Sequence, residues 1–215
     1  FHGYRSSYDV DFAPEAEFLY DMGYNVLLPC QRAHTGSEGK YITFGIKERY
    51  DCIKWAELIR DMYRGKDIFL SGISMGASTV MMASGSKMPE EVKGIMADCG
   101  FTSPWEIIEY VAKNKFRIGK FPLLYIINFL LKVIAGFDAK EYSVIDAMEH
   151  NKVPFLFIYG DEDDFVPCTM TEKAFDVCKA PKDKIVVRGA GHALSFLMDS
   201  SKCMDGIKGY INKYK

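Results

Sequence analysis

Five short apolar runs recur along the chain, separated by stretches of helical pattern, and this rhythm limits the fold more than any other feature. The runs are YNVLLP (24–29), DIFLSG (67–72), VKGIMA (92–97), PFLFIYG (154–160) and KIVVRG (184–189). Their apolar residues are nearly continuous rather than alternating, as in strands of a parallel sheet buried on both faces. Helical patterns at 13–22, 46–64, 77–87, 169–179 and 199–214 fall between and after them. Such alternation predicts an α/β fold with helices on both faces of a mostly parallel sheet.

Residues 101–150 break the rhythm, with helical patterns near 103–114, 121–135 and 142–149 and no convincing strand. A core of residues 1–100 and 151–215 with a helical cap insertion at 101–150 is therefore expected. The apolar stretch FPLLYIINFLLKVIAGF (121–137) is interrupted by Lys132 and is shorter than the roughly 20 residues of a membrane span. Membrane contact through the cap is left open and is not predicted. With 27 basic and 29 acidic residues, net charge −2, no basic face invites nucleic acid. Cys30, Cys52, Cys99, Cys168, Cys178 and Cys203 contain no CxxC pair, so reduced thiols in a cytoplasmic protein are expected, with no zinc site or disulfide framework. Nothing in the sequence sets the oligomeric state.

The chemistry concentrates in DIFLSGISMGAS (67–78), where Gly72-Ile73-Ser74-Met75-Gly76 follows a strand and opens a small-residue helix. A strand–turn–helix of this kind needs glycines because neighbouring backbone passes close by, and it projects Ser74 at the strand's C-terminal end. The helix N-terminus favours developing negative charge there. The loop RAHTGSEG (32–39) also sets a serine between glycines, but its spacing differs and no helix starts directly after it.

A serine hydroxyl becomes an effective nucleophile when a base takes its proton and a third group orients that base. Of the four histidines, His192 lies in the glycine-flexed loop VVRGAGHALSF directly after the last strand and is the expected base. His150 ends a helix, His34 sits in the polar loop, and His2 precedes Gly3. The acid run IYGDEDDFVP after the preceding strand offers Asp161, Glu162, Asp163 and Asp164; Asp163 is preferred, with Asp98 in MADCGF as the alternative. Asp161 suits bonds to its own loop's amides.

The order Ser74, Asp163, His192, carried by GISMGAS, GDEDDFVP and GAGHALSF, resembles the α/β-hydrolase superfamily over essentially the whole chain. Within it the chain looks closest to bacterial serine hydrolases of the Bem46-like and prolyl-oligopeptidase-related branches, to whose loop and helix QRAHTGSEGKYITFGIKERYDCIKW (31–55) is similar. The resemblance implies an eight-stranded, mostly parallel sheet, a Ser-His-Asp triad and hydrolysis of a small-molecule ester without cofactor or metal. It also implies that His2-Gly3-Tyr4 is an oxyanion turn, with the backbone amides of Tyr4 and Met75 as donors and His2 structural. Cys30 stands where relatives often place Asp, and Asp164 adds a charge to the acid run.

Trp105, Phe121, Tyr125, Phe129 and Phe137 make the cap aromatic. Trp105, Phe121, Tyr125 and Phe129 are the candidate substrate contacts, favouring short or medium acyl or aryl esters; core packing is the competing role for residues at this helical spacing. A peptidase or amidase of the same architecture, and a non-catalytic binding protein on this fold, are the alternatives. The opening FHGYRSS reads as the turn that follows an interior strand, so the natural polypeptide is expected to extend upstream of Phe1.

Overall fold

A computed structural model describes residues 1–34 and 36–215; Thr35, inside the polar loop 32–39, lies outside the described residues. Four parallel strands form one sheet: β1 (Ile68–Ile73), β2 (Val92–Asp98), β3 (Phe155–Gly160) and β4 (Lys182–Val187). They stand side by side in the order in which they occur in the chain.

β3 shows why these runs become strands. All six of its residues are buried, and they alternate between two cores. Phe155 and Phe157 face the core shared with α2 (Glu48–Met62), α3 (Met75–Ser84) and α6 (Val144–His150), which contribute Cys52, Ala56, Val80, Met81 and Met148. Leu156 and Ile158 face Cys203, Ile207, Tyr210 and Ile211 of α9 (Ser200–Tyr214), with Phe18 and Leu19 of α1 (Tyr8–Asp21) packed against them. A segment buried on both sides has no polar face, hence its unbroken apolar run. The same double layer buries every residue of α3. α7 (Cys168–Val177) and the short α8 (Ser195–Met198) complete the helices around the sheet.

Three expectations are corrected. YNVLLP (24–29) is not a strand: among the described residues it exchanges no ladder hydrogen bonds, and Tyr24 and Leu28 only pack their side chains against the core. Apolar content alone does not make a strand without a partner for its backbone. β4 begins two residues earlier than its apolar run, because at the sheet's edge Lys182 and Asp183 keep contact with water. α1 begins at Tyr8, ahead of Pro14, whose missing N–H falls opposite the carbonyl of Val10, an exposed residue. The sheet of the described residues thus has four strands, where the resemblance implies eight.

The stretch from β2 to β3 is helical, as expected. α4 (Pro104–Phe116) starts on Ser103, whose hydroxyl accepts from the Glu106 N–H (3.0 Å). A composite helix follows, with wider π-type turns at Lys120–Leu124 and Leu131–Ala135 flanking α5 (Tyr125–Leu130). α6 packs on α3 through Val144, Ala147 and Met148 as part of the core. No helix among the described residues is long and apolar enough to cross a membrane.

One polar clasp ties α9 to the sheet. The buried Tyr210 hydroxyl accepts from the Ile95 N–H of β2 (2.9 Å) and donates to the Pro154 carbonyl at the foot of β3 (2.7 Å). Tyr210→Phe removes both bonds and is expected to lower stability by about 1–3 kcal/mol, read from urea unfolding.

Candidate active site

Ser74 occupies the turn between β1 and α3 with φ 55° and ψ −115°, a backbone conformation that disfavours residues carrying a side chain. Its N–H donates to the Asp98 carbonyl (2.8 Å) and its carbonyl accepts from the Ser78 N–H (3.0 Å), which pins the strained residue to both β2 and α3. The glycines are steric necessities. A Cβ on Gly72 would overlap the Gly76 backbone, and one on Gly76 would overlap the Phe1 carbonyl.

The elbow directs the Ser74 hydroxyl at His192. Ser74 Oγ lies 2.8 Å from His192 Nε2, and His192 Nδ1 lies 2.7 Å from Asp163 Oδ2. With Nδ1–H donating to the carboxylate, Nε2 is left to accept the serine proton. Asp163 is itself fixed, because its Oδ1 accepts from the N–H groups of Phe165 (3.0 Å) and Val166 (2.9 Å). Three residues widely separated in sequence thus meet at the C-terminal ends of β1, β3 and β4, in one relay. Asp161 bonds outside its own loop: its Oδ1 accepts from the Gly189 N–H (2.7 Å), joining the acid loop to the histidine loop instead of closing its own turn.

Asp98 is not the partner of His192; its Oδ1 accepts from the Ser195 hydroxyl (3.1 Å). Burial pushes the Asp98 carboxyl up to about 8, opposed by the Ser195 hydrogen bond and reinforced by the charges of Glu15 and Asp163. Beside it, burial holds the Cys99 thiol well above its ordinary range. The ligand atoms of Cys99, Asp163 and His192 lie within 4.8 Å of one another. The histidine nitrogens are already engaged by Ser74 and Asp163, however.

The turn at residues 2–4 lies against the elbow. Phe1 runs beside β1, donating from its nitrogen to the Ser71 carbonyl (2.6 Å) and accepting from the Ile73 N–H (3.0 Å). The Gly3 N–H donates to Asp11 Oδ2 (2.6 Å), and the Arg5 N–H to His34 Nε2 (3.1 Å). Between these two committed amides, the Tyr4 N–H has no protein partner among the described residues, and neither has that of Met75. A Cβ placed on Gly3 would touch Ser74 Cβ at 3.4 Å, so the turn adjoins the hydroxyl directly. His2 is buried; its Nε2 accepts from the Gln31 N–H (3.1 Å) and its Nδ1 donates to the Gly3 carbonyl (3.0 Å). Burial depresses its pKa, which suits a neutral structural imidazole.

The four aromatic residues expected at a substrate pocket divide. Trp105, Phe121 and Tyr125 form a chain, with ring centroids 5.4 Å apart for Trp105 and Tyr125 and 6.1 Å for Phe121 and Tyr125. Lys140 Nζ sits 3.9 Å from the Trp105 centroid, and Trp105 packs against the main core. Phe129 stands apart, exposed on the outer face of the composite helix. Sequence reasoning missed the aromatic surfaces that do adjoin the relay. Phe165 lies 5.0 Å from the His192 ring, and Tyr4 stacks on Phe44 at 5.2 Å. Their adjacency to Asp163 and Gly3 in sequence was the available signal.

The parallel sheet, the strained serine between glycines and the ordered relay define the α/β-hydrolase fold. Comparison with known proteins places the chain more closely. The Prolyl oligopeptidase family matches residues 10–201, and the chain belongs to that family. It is 30% identical over 177 residues to the uncharacterized protein YqkD of Bacillus subtilis, an alignment covering 82% of this chain and 58% of YqkD. It spans little more than half the length of that curated relative. Among solved structures, the Pyrococcus furiosus esterase Pf2001 superposes with TM-score 0.77 at 26% identity, over 99% of this chain and 80% of the esterase. Alpha/beta hydrolase domain-containing protein 10 from mouse shares the fold alone, with TM-score 0.70 at 18% identity over 99% of this chain and 88% of its own.

Two outcomes are expected. Gly72→Ala forces the elbow apart and should leave the protein unfolded or destabilised by several-fold more than a surface Gly→Ala change, measured by denaturant titration. Asp98 binds its proton far more tightly when folded than an unfolded aspartate does, at about 3.9. The stability it contributes is therefore complete below pH 4 and is lost as pH rises through about 8. Asp98→Asn, neutral throughout, should gain stability relative to the parent between pH 5 and pH 8, measured by unfolding at both values.

Proposed function

We propose that this protein is a serine hydrolase that cleaves carboxylic esters through an acyl-enzyme. The observation that carries the reading is the unbroken Ser74–His192–Asp163 relay, with hydrogen bonds of 2.8 and 2.7 Å, set on a strained elbow. In this mechanism the Ser74 oxygen attacks the substrate carbonyl carbon as His192 Nε2 takes its proton. Asp163 holds the imidazole in the productive tautomer and stabilises the imidazolium. The amides of Tyr4 and Met75 receive the carbonyl oxygen as it becomes negative, each donor of this kind contributing about 10²–10³ in turnover. The imidazolium then protonates the leaving alcohol, and water activated by the same histidine releases the acid.

The surfaces adjoining Ser74 favour an apolar substrate. The Tyr4–Phe44 stack and Phe165 are partly exposed next to the relay, and Met75 joins Phe101, Ile107 and Val166 in a buried apolar cluster behind it. Short or medium acyl esters and aryl esters fit this lining. The similarity to an esterase supports the same class, while the name of the family keeps amide cleavage as a second reading.

A fluorophosphonate probe and a panel of p-nitrophenyl esters of rising chain length test the proposal. Ser74 is expected to be labelled, Ser74→Ala to lose about 10³-fold or more in kcat/KM, and Asp163→Asn to lose about 10⁴-fold in kcat. Wild-type turnover retained by Ser74→Ala would sink the reading. Faster cleavage of matched p-nitroanilides than of esters would select the amidase.

A further inference from the structure

The composite helix 120–135 is mounted the wrong way round for a soluble surface. Its polar residue Asn128 turns inward, donating to Asp138 Oδ1 (2.8 Å) and accepting from the Ala139 N–H (2.9 Å). Lys47 Nζ holds the helix end at the Ala135 carbonyl (3.1 Å), and Leu124 and Ala135 supply the buried contacts. The opposite face carries Ile126, Phe129, Leu130, Val133 and Ile134, spaced as one helical stripe and between 45% and 65% exposed. Phe116, Leu123 and Phe121 extend it, the last 81% exposed. A contiguous apolar patch presented by a well-anchored helix marks an interaction surface.

Charge selects the occupant. Residues 110–137 contain no Asp or Glu but include Lys113, Lys115, Arg117, Lys120 and Lys132, in a chain whose net charge is −2. Lys115 pairs with the exposed Asp164 at 3.3 Å, and Lys120 and Lys132 pair with the half-buried Glu109 and Asp138 at 2.6 and 3.6 Å, the lysines themselves being exposed. Such pairs exchange readily for other anions. Among the described residues Lys113 and Arg117 have no carboxylate partner at all. A two-fold contact with a second copy would bring this basic rim against itself. An anionic bilayer satisfies both features, taking the apolar stripe into the acyl boundary and the lysines and Arg117 at the headgroups.

We propose that helix 120–135 with the end of α4 is an interfacial docking element that seats the protein on an anionic membrane surface without spanning it. α4 connects this element to the relay: Ile107 packs with Met75 and Val166, and the Tyr110 hydroxyl donates to the Asp164 carbonyl (3.3 Å). The inference does not rest on the hydrolase reading, since adsorption needs no turnover.

Flotation of the purified protein with vesicles tests it, using phosphatidylcholine alone and phosphatidylcholine mixed with phosphatidylglycerol, each at low and high salt. Binding is expected to the mixed vesicles, weakened by salt. Ile126→Ser/Val133→Ser should reduce partitioning about tenfold or more. Lys113→Glu/Arg117→Glu should reduce it by a similar factor on anionic vesicles. Hydrolysis of a soluble short-chain ester should be unchanged in both variants, and Ser74→Ala should bind vesicles like the parent, which separates this inference from the catalytic one. Failure of the parent to bind, or equal binding by either variant, overturns it. So does a dimer in light scattering that Ile126→Ser/Val133→Ser converts to monomer while vesicle binding persists, because the stripe then belongs to a second copy.

Discussion

The site depends on the backbone of a single residue. Ser74 is held at positive φ, and that conformation persists only because it is tied at both ends and crowded from every side. β1 delivers the chain, α3 carries it away wholly buried, the Asp98 carbonyl grips the serine N–H, and two glycines let the backbones approach. Strain of this sort amounts to about 1–3 kcal/mol, small beside the burial of α3 yet enough to relax the turn if packing loosened. The large core and the aimed hydroxyl are therefore two ends of one arrangement.

Around that residue, buried polar groups act as struts. Asp163 spends one oxygen on two backbone amides so that the other meets His192 at a fixed angle. His2 and His34 do similar service at the turn beside Ser74, meeting edge to face at 4.6 Å while each bonds to backbone on the neighbouring loop. Asp98 is different: it is a carboxyl kept mostly uncharged near neutrality, donating nothing to the relay and bound to Ser195 just past the histidine. Its cost in stability is the kind tolerated near a working site, where geometry outranks economy.

Much of this was legible in the sequence because the signals were local. A strand, a tight glycine turn and a helix compress into twelve residues around Ser74, and loops after consecutive strands must gather at one end of a parallel sheet. That reasoning led to His192 and Asp163 from the loops they occupy together with chain order, with Asp98 as the alternative acid. It failed where a partner decides the outcome. YNVLLP has strand composition, but hydrogen bonds come from neighbours that composition does not report. The aromatic residues of the cap illustrate the same limit: their helical spacing was visible for Tyr125 and Phe129, but not which way Phe129 looks. The inward turn of Asn128 decides it, through two hydrogen bonds to residues ten and eleven positions away.

The order of the strands has a bearing on how the molecule comes into being. Because β1, β2, β3 and β4 lie side by side in the order in which they are made, each of these described strands after β1 docks on the edge left by the one before it. Among the described strands, Ser74 follows the first, Asp163 the third and His192 the fourth. During synthesis the serine is thus displayed early but has no base, and the acid waits without an imidazole to orient. The relay closes only when β4, the last of the described strands, is in place, because His192 follows it.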